Sequence, residues 1–170
     1  MEDTMKRACC AFTGYRPQKL PYGNDESHPD CVNLKLRLME EINRHIDMGI
    51  KIFITGMALG VDQWAAEIVL KLKEMYPYGD IKLWCAIPYD KQASTWTERQ
   101  KKRYYAILSK ADRIDHVSHL YYDGCLLARN RFMVDHATHL IAVYDGLNGG
   151  TQYTVNYAKR KGLKVIIIQP

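Results

Sequence analysis

Five short apolar runs, separated by segments with a helical hydrophobic period, constrain the fold of this chain more than any other feature of its sequence. Residues 8–13 form the first run and end at Gly14, the pattern of a buried strand. Pro29 then opens a helix at a position where its missing N–H costs nothing. Leu34, Leu38, Ile42 and Ile46 give that helix one apolar face, and Gly49 closes it. Residues 51–55 (KIFIT) form the second strand. The loop GMALG and a helix over Val61–Met75 follow, with Ala65, Ile68, Val69 and Leu72 toward the sheet. Residues 81–87 form the third strand. Thr95 and Glu98 read as a capping box for a helix reaching Lys110. The poorly patterned stretch 113–122 leaves room for a short edge strand. A helix over 124–137 leads to the strand His139–Val143. A helix over 151–161, closed by Gly162, leads to the last strand, Lys164–Ile168.

Strands alternating with helices build parallel βαβ units. Right-handed crossovers then give the five main strands the order 3-2-1-4-5, a Rossmann-like, doubly wound α/β fold with helices on both faces of a mainly parallel sheet. No linker or internal repeat divides the 170 residues, and 47% are hydrophobic, so one domain with a packed core is expected over residues 1–170. The first strand and His139–Val143 flank the point where the strand order reverses. Ligands bind such sheets in the crevice outside the carboxyl ends of the strands.

The loops that fall at those ends are the chemically loaded ones. TGYRP contributes Thr13, Gly14, Tyr15 and Arg16. TGMALGVD contributes Gly56, Met57, Gly60, Val61 and Asp62, with glycines where a strand meets a helix and where backbone can approach a ligand. IPYD contributes Pro88 and Tyr89, and YDGLNGGT contributes Asp145, Gly149, Gly150 and Thr151. Helices starting after Gly60 and Gly150 aim free N–H groups at the crevice, which suits phosphate, and Thr151 reads as an N-cap. Arg129 and Asn130 lie on the helix before the fourth main strand, where an arginine suits bidentate bonding to phosphate or carboxylate. Tyr15, Tyr89, Trp96, Tyr144 and Tyr153 lie in or near these loops, and aromatic rings there can stack on a base.

Several classes of function are excluded or disfavoured. No lysine and Ser/Thr pair follows Gly60, so the loop is not a Walker A motif, and no G-x-G-x-x-G follows the first strand. The formal charge of +5 favours anionic ligands without demanding nucleic acid. The runs 99–103 and 159–164 read as solvated helix faces. Cys9, Cys10, Cys31, Cys85 and Cys125 are odd in number and lack C-x-x-C spacing, which fits reduced thiols in a cytoplasmic protein. The polar start, residues 1–7, has no apolar signal core, and no apolar stretch is long enough to span a bilayer. His116 and His119, and His136 and His139, are spaced by three but lack supporting ligands, so neither a metal nor a cofactor is expected.

Together, FTGYRP, ITGMALGVDQWAAE, the segment with Pro88, Tyr89, Trp96 and Tyr104, the R-N-R-F-M helix and the GGT helix resemble the SLOG superfamily, which includes DprA, the Lonely Guy phosphoribohydrolases and the YpsA-like proteins. The likeness covers nearly the whole chain and is strongest to the YpsA-like group. It implies a pocket for nucleotide-like ligands such as ADP-ribose or an NAD-related molecule, and self-association into a homo-oligomer. Lonely Guy enzymes carry R-x-x-x-M and G-G-x-G-T-x-x-E. Arg129 and Met133 match the first motif, but Thr154 holds the place of the glutamate. Threonine cannot act as the acid or base that a carboxylate provides. The expectation is therefore a binding protein that senses or sequesters a nucleotide-derived or phosphosugar ligand. The alternatives are an enzyme cleaving an N-glycosidic or phosphate bond through Asp62 or Asp145, and a DprA-like binder of single-stranded nucleic acid using residues 99–103 and the adjoining Tyr104 and Tyr105.

Overall fold

The computed structural model describes residues 7–170, so the polar start up to Lys6 lies outside the described residues. The strands are β1 (Cys9–Gly14), β2 (Ile52–Thr55), β3 (Lys82–Ile87), β4 (Arg113–His116), β5 (His139–Val143) and β6 (Lys164–Ile168). The helices are α1 (Pro29–Asp47), α2 (Val61–Met75), α3 (Glu98–Leu108), α4 (Cys125–Asp135) and α5 (Gly150–Arg160). All strand pairs are parallel, in the order β4-β3-β2-β1-β5-β6. The five main strands thus take the expected order, and the stretch after α3 adds β4 outside β3.

The α2 helix packs on α1 and α3 and against β1, β2 and β3, whereas α4 packs on α5 and reaches β1 and β3. The sheet is therefore covered on both faces, which is why β1 and β3 are apolar along almost their whole length. Leu34, Leu38 and Ile42 of α1 are fully buried, and so are Ala65, Val69 and Leu72 of α2. Phe12 and Phe53 stack at 6.0 Å between ring centres in the middle of the core. The two sheet edges differ. On β4, Arg113 and Asp115 pair at 2.6 Å and mark the edge with charge. On β6, Ile166 and Ile167 are half-exposed beside a row of backbone groups with no strand partner among the described residues.

Two helix starts differ from the sequence reading. The capping box of α3 is formed by Thr97 and Gln100, not by Thr95 and Glu98. The Gln100 N–H donates to Thr97 Oγ1 at 3.2 Å, and the Thr97 N–H donates to Gln100 Oε1 at 3.0 Å. Residues 91–96 are consumed by two turns that bury Ala93 and seat Trp96 on Tyr104, so the helix begins later. At α5 the N-cap is Gly149, with no side-chain cap, and Thr151 lies inside the first turn, buried.

The sheet brings the carboxyl ends of β1 and β5 side by side, with Gly14 opposite Val143. Among the described residues, no helix is long and apolar enough to cross a membrane. Replacing Thr97 by Ala is expected to lower stability by about 1 kcal/mol in chemical denaturation, the usual loss for an N-cap hydroxyl. The exposed Thr95→Ala is expected to stay within about 0.5 kcal/mol of the parent.

Candidate functional site

The loop between β2 and α2, residues 56–60, is held from behind by buried polar side chains. Thr55 Oγ1 donates to the Asp62 carbonyl at 2.9 Å and accepts from the Met57 N–H at 3.3 Å. Gln63 Nε2 donates to the Met57 carbonyl at 3.3 Å, and Gln92 Nε2 donates to the Gly56 carbonyl at 3.1 Å. Gln92 Oε1 in turn accepts from the Tyr104 hydroxyl at 3.2 Å. Met57 itself sits at φ 60°, a left-handed backbone that these bonds maintain.

Arg129 completes this support. The sequence pattern points it at the crevice, but the structure leaves it only 3% exposed, because the face it shares with Met133 is the core face of α4. Its Nη1 donates to the Gly56 carbonyl and its Nε to Asn130 Oδ1 at 2.8 Å. A Cβ on Gly56 would lie 2.5 Å from the guanidinium carbon, so the glycine makes room for an arginine rather than for a ligand. Asp62 is buried across the same loop, with Oδ2 accepting the Ala58 N–H at 3.2 Å. Burial pushes its carboxyl above the ordinary value, against the pull of Arg129 and the Ala58 N–H. Burial likewise pulls Arg129 down, against the opposing charge of Asp62.

Gly60 and Gly14 also serve close packing. Gly60 has φ 90°, and a Cβ there would lie 2.8 Å from the Tyr15 carbonyl. A Cβ on Gly14 would lie 2.5 Å from Val61 Cγ1. The start of α2 is thus covered by the chain leaving β1, with the Val61 N–H donating to the Tyr15 carbonyl at 3.4 Å.

The open part of the crevice lies at the start of α5. The N–H groups of Gly150, Thr151 and Gln152 have no partner among the described residues. The Lys19 ammonium sits 2.6 Å from where a Cβ of Gly149 would be, and 5.2 Å from the centre of the Tyr15 ring. The Tyr15 hydroxyl donates to Asp145 Oδ1, which also accepts the Leu147 N–H at 3.0 Å. The Tyr15 bond holds the Asp145 carboxyl below its ordinary value. Thr154 lies beneath this floor: it accepts from Asn130 Nδ2 and donates to the Gly150 carbonyl, both at 2.9 Å. The hydroxyl that stands in place of a glutamate is therefore a tie between α4 and α5.

Of the residues singled out from sequence, Arg16, Asp145, Gly149 and Gly150 are exposed, and Gly14, Tyr89 and Asn130 are half-buried. Thr13, Tyr15, Gly56, Met57, Gly60, Val61, Asp62, Pro88, Arg129 and Thr151 are buried and form the wall and floor. Sequence reasoning missed Lys19 and Gln92, neither of which lies in a glycine-bearing motif.

A separate groove of about 900 Å³ flanks the crevice between the loop 24–27, α2 and α3. Arg103 bridges it, pairing with Glu67 at 2.6 Å and with Glu26. Although burial opposes it, Arg103 and Lys35 hold Glu26 down to about 2. Lys101 pairs with Glu98 at 3.0 Å, so the basic run 99–103 is partly neutralised by its own neighbours. Because the groove's central ions are engaged with one another, the crevice is the better candidate for a small anion.

Truncating Arg129 to Ala is expected to destabilise the fold by about 3 kcal/mol or more, since it strips a buried carboxylate of its compensating charge. In a double-mutant cycle, Arg129→Met with Asp62→Asn is expected to cost at least about 0.5 kcal/mol less than the sum of the single changes. Additive denaturation energies would show that the two charges act independently.

The profile of the YspA SLOG family matches residues 10–167. A UPF0398 protein of Bacillus thuringiensis (strain Al Hakam) is 33% identical over 156 residues, which cover 89% of this chain and 83% of the relative. A UPF0398 protein of Bacillus cereus (strain G9842) is 34% identical with the same coverage. Among solved structures, DNA processing protein A from Helicobacter pylori, described for its single-stranded DNA binding mode, superposes with a TM-score of 0.64 at 17% identity. DNA processing protein A from Streptococcus pneumoniae superposes with a TM-score of 0.62 at 15% identity. Each likeness covers 95% of this chain, but the chain spans only 65% and 50% of those structures, and at such identities the likeness is one of fold. On the profile match and the Bacillus relatives, the chain belongs to the YspA SLOG family.

Proposed function

We propose that this protein binds a nucleotide-derived or phosphosugar ligand, such as an ADP-ribose or NAD-related molecule, at the carboxyl edge of its sheet, and acts by sensing or sequestering it. The observation that carries this reading is the meeting of Lys19 with the uncapped start of α5 beside Asp145. Three open N–H groups, the positive end of a helix and an ammonium favour a phosphate. The exposed Asp145 carboxylate beside them is an acceptor for sugar hydroxyls. The buried network behind residues 56–60 supports a wall that needs no rearrangement on binding, which lowers the cost of association. The reading is of one domain, working in the cytoplasm and self-associating. The half-exposed isoleucines on β6, an edge strand among the described residues, favour self-association.

Two other readings have specific support. Arg99 and Lys102 line the flanking groove without an ionic partner among the described residues, which favours a single-stranded nucleic acid, the ligand class named for the Helicobacter pylori neighbour. Submicromolar affinity for a single strand at physiological salt would prefer this reading, because contacts to phosphate alone are erased by salt. For an enzyme acting through Asp62 or Asp145, Asp145 is the exposed one of the two and Asp62 is enclosed.

ADP-ribose is expected to raise the melting temperature by mass action. Lys19→Ala is expected to weaken it about tenfold by calorimetry, the loss of one charge-assisted contact. Absence of any thermal shift with nucleotides and phosphosugars at millimolar concentration would end the proposal. Nucleoside monophosphates are expected to release no ribose 5-phosphate. Release that disappears in Asp145→Asn would establish the enzyme reading instead.

A further inference from the structure

The outer edge of β6 is a bounded row of backbone groups. The Lys164 N–H donates to the Thr138 carbonyl at 3.1 Å, and the Ile168 carbonyl accepts the Tyr144 N–H at 3.2 Å. Residues 164, 166 and 168 therefore turn their backbone groups toward β5, in the register that sets Ile141 opposite Ile166. Backbone groups alternate sides along a strand, so Val165 and Ile167 turn theirs outward. Those N–H and C=O groups have no partner among the described residues. The next outward residues on either side are already engaged. The Leu163 N–H donates to the Ala158 carbonyl at 3.0 Å, and the Gln169 carbonyl accepts from Arg37 Nη1 at 2.7 Å.

A row of this kind is complementary to its own reverse. With a second β6 running antiparallel about Ile166, Val165 stands opposite the second copy's Ile167. The two exchange both N–H···O=C bonds, and the same holds with the copies interchanged. Ile166 then meets the second copy's Ile166 at a non-hydrogen-bonded position, where Cα atoms come within about 4.5 Å and side chains are closest. On the other face Val165 meets Ile167. No charge lies between residues 165 and 168 to oppose this. Moving the axis to Val165 would call on the Leu163 N–H, and moving it to Ile167 would call on the Gln169 carbonyl. Both are taken, so the engaged ends select Ile166 as the centre. The β4 edge carries Arg113, Asp115 and His116 and does not offer β6 an apolar match.

We infer that the partner of β6 is the β6 strand of a second copy of this chain, paired antiparallel across a two-fold axis at Ile166, so that two six-stranded sheets join into one. The inference rests on the self-association in the reading above and gives it a place and a register. The contact uses the same patch on both copies, so it closes at a dimer.

Sedimentation equilibrium of the full chain tests this, and a monomer–dimer equilibrium is expected. Ile166 is 38% and Ile167 42% exposed, so substitutions there leave the core intact. Ile166→Lys and Ile166→Glu are each expected to weaken the dimer at least about tenfold, because like charges meet at the axis, and an equimolar mixture of the two to restore it. Ile167→Pro removes an outward N–H and no bond to β5, and is expected to weaken the dimer with the far-ultraviolet circular dichroism unchanged. Ile166→Cys is expected to cross-link to its own copy on mild oxidation, while the buried native cysteines do not. A dimer left intact by all of these variants would overturn the β6 pairing and spare self-association. Single variants that are monomeric and stay so when mixed would overturn the axis at Ile166. A monomeric parent chain would overturn both the pairing and self-association. If the Val165 and Ile167 amides of that monomer resist hydrogen exchange, another segment covers the edge.

Discussion

A guanidinium inside the protein organises this edge of the molecule. Arg129 lies where water cannot solvate it, so its charge must be met by the Gly56 carbonyl, the Asn130 side chain and the nearby Asp62 carboxylate. Each of those partners is itself committed. Asp62 holds the Ala58 N–H, Asn130 holds Thr154, and Gly56 also receives Gln92. The result is a polar core inside an apolar fold, in which the loop 56–60 is shaped from behind while its outer surface is left to the crevice. A half-satisfied network of this kind would be worse than an apolar one.

The arrangement separates buried support from open surface. The start of α2, which sequence alone offers as an anion site, is covered by the chain leaving β1 and carries a buried carboxylate. The start of α5 has no side-chain cap among the described residues, and Lys19 stands beside it. The two helix starts are therefore opposite in exposure. One is fixed in the wall, and the other presents its open N–H groups. The Tyr15 hydroxyl beside those groups favours the ionised form of Asp145.

The sequence makes the architecture legible because alternation of apolar runs and amphipathic helices leaves few topologies once crossovers are right-handed. It also makes the crevice legible, since glycine and polar residues cluster after the strands. It does not show which polar residues turn inward. Arg129 and Met133 are four apart in either case, and only the missing Cβ of Gly56, on a strand end far along the chain, reveals that the guanidinium is inside. The α3 cap was ambiguous for a local reason: Thr95 with Glu98 and Thr97 with Gln100 both satisfy the same spacing, and the turns that seat Ala93 and Trp96 decide between them. Lys19 lies in a segment without periodicity, so its placement comes wholly from tertiary packing.

The fit between Gly56 and Arg129 also bears on how such a sequence can drift. Any side chain at position 56 collides with the guanidinium, and a shorter residue at 129 strands Asp62 in the interior. Neither position can change first without a loss of stability, so a lineage leaves this arrangement only by two changes made together or by tolerating a weakened ancestor between them. The interior of the candidate site is in this sense a record of history, because its members must change in pairs.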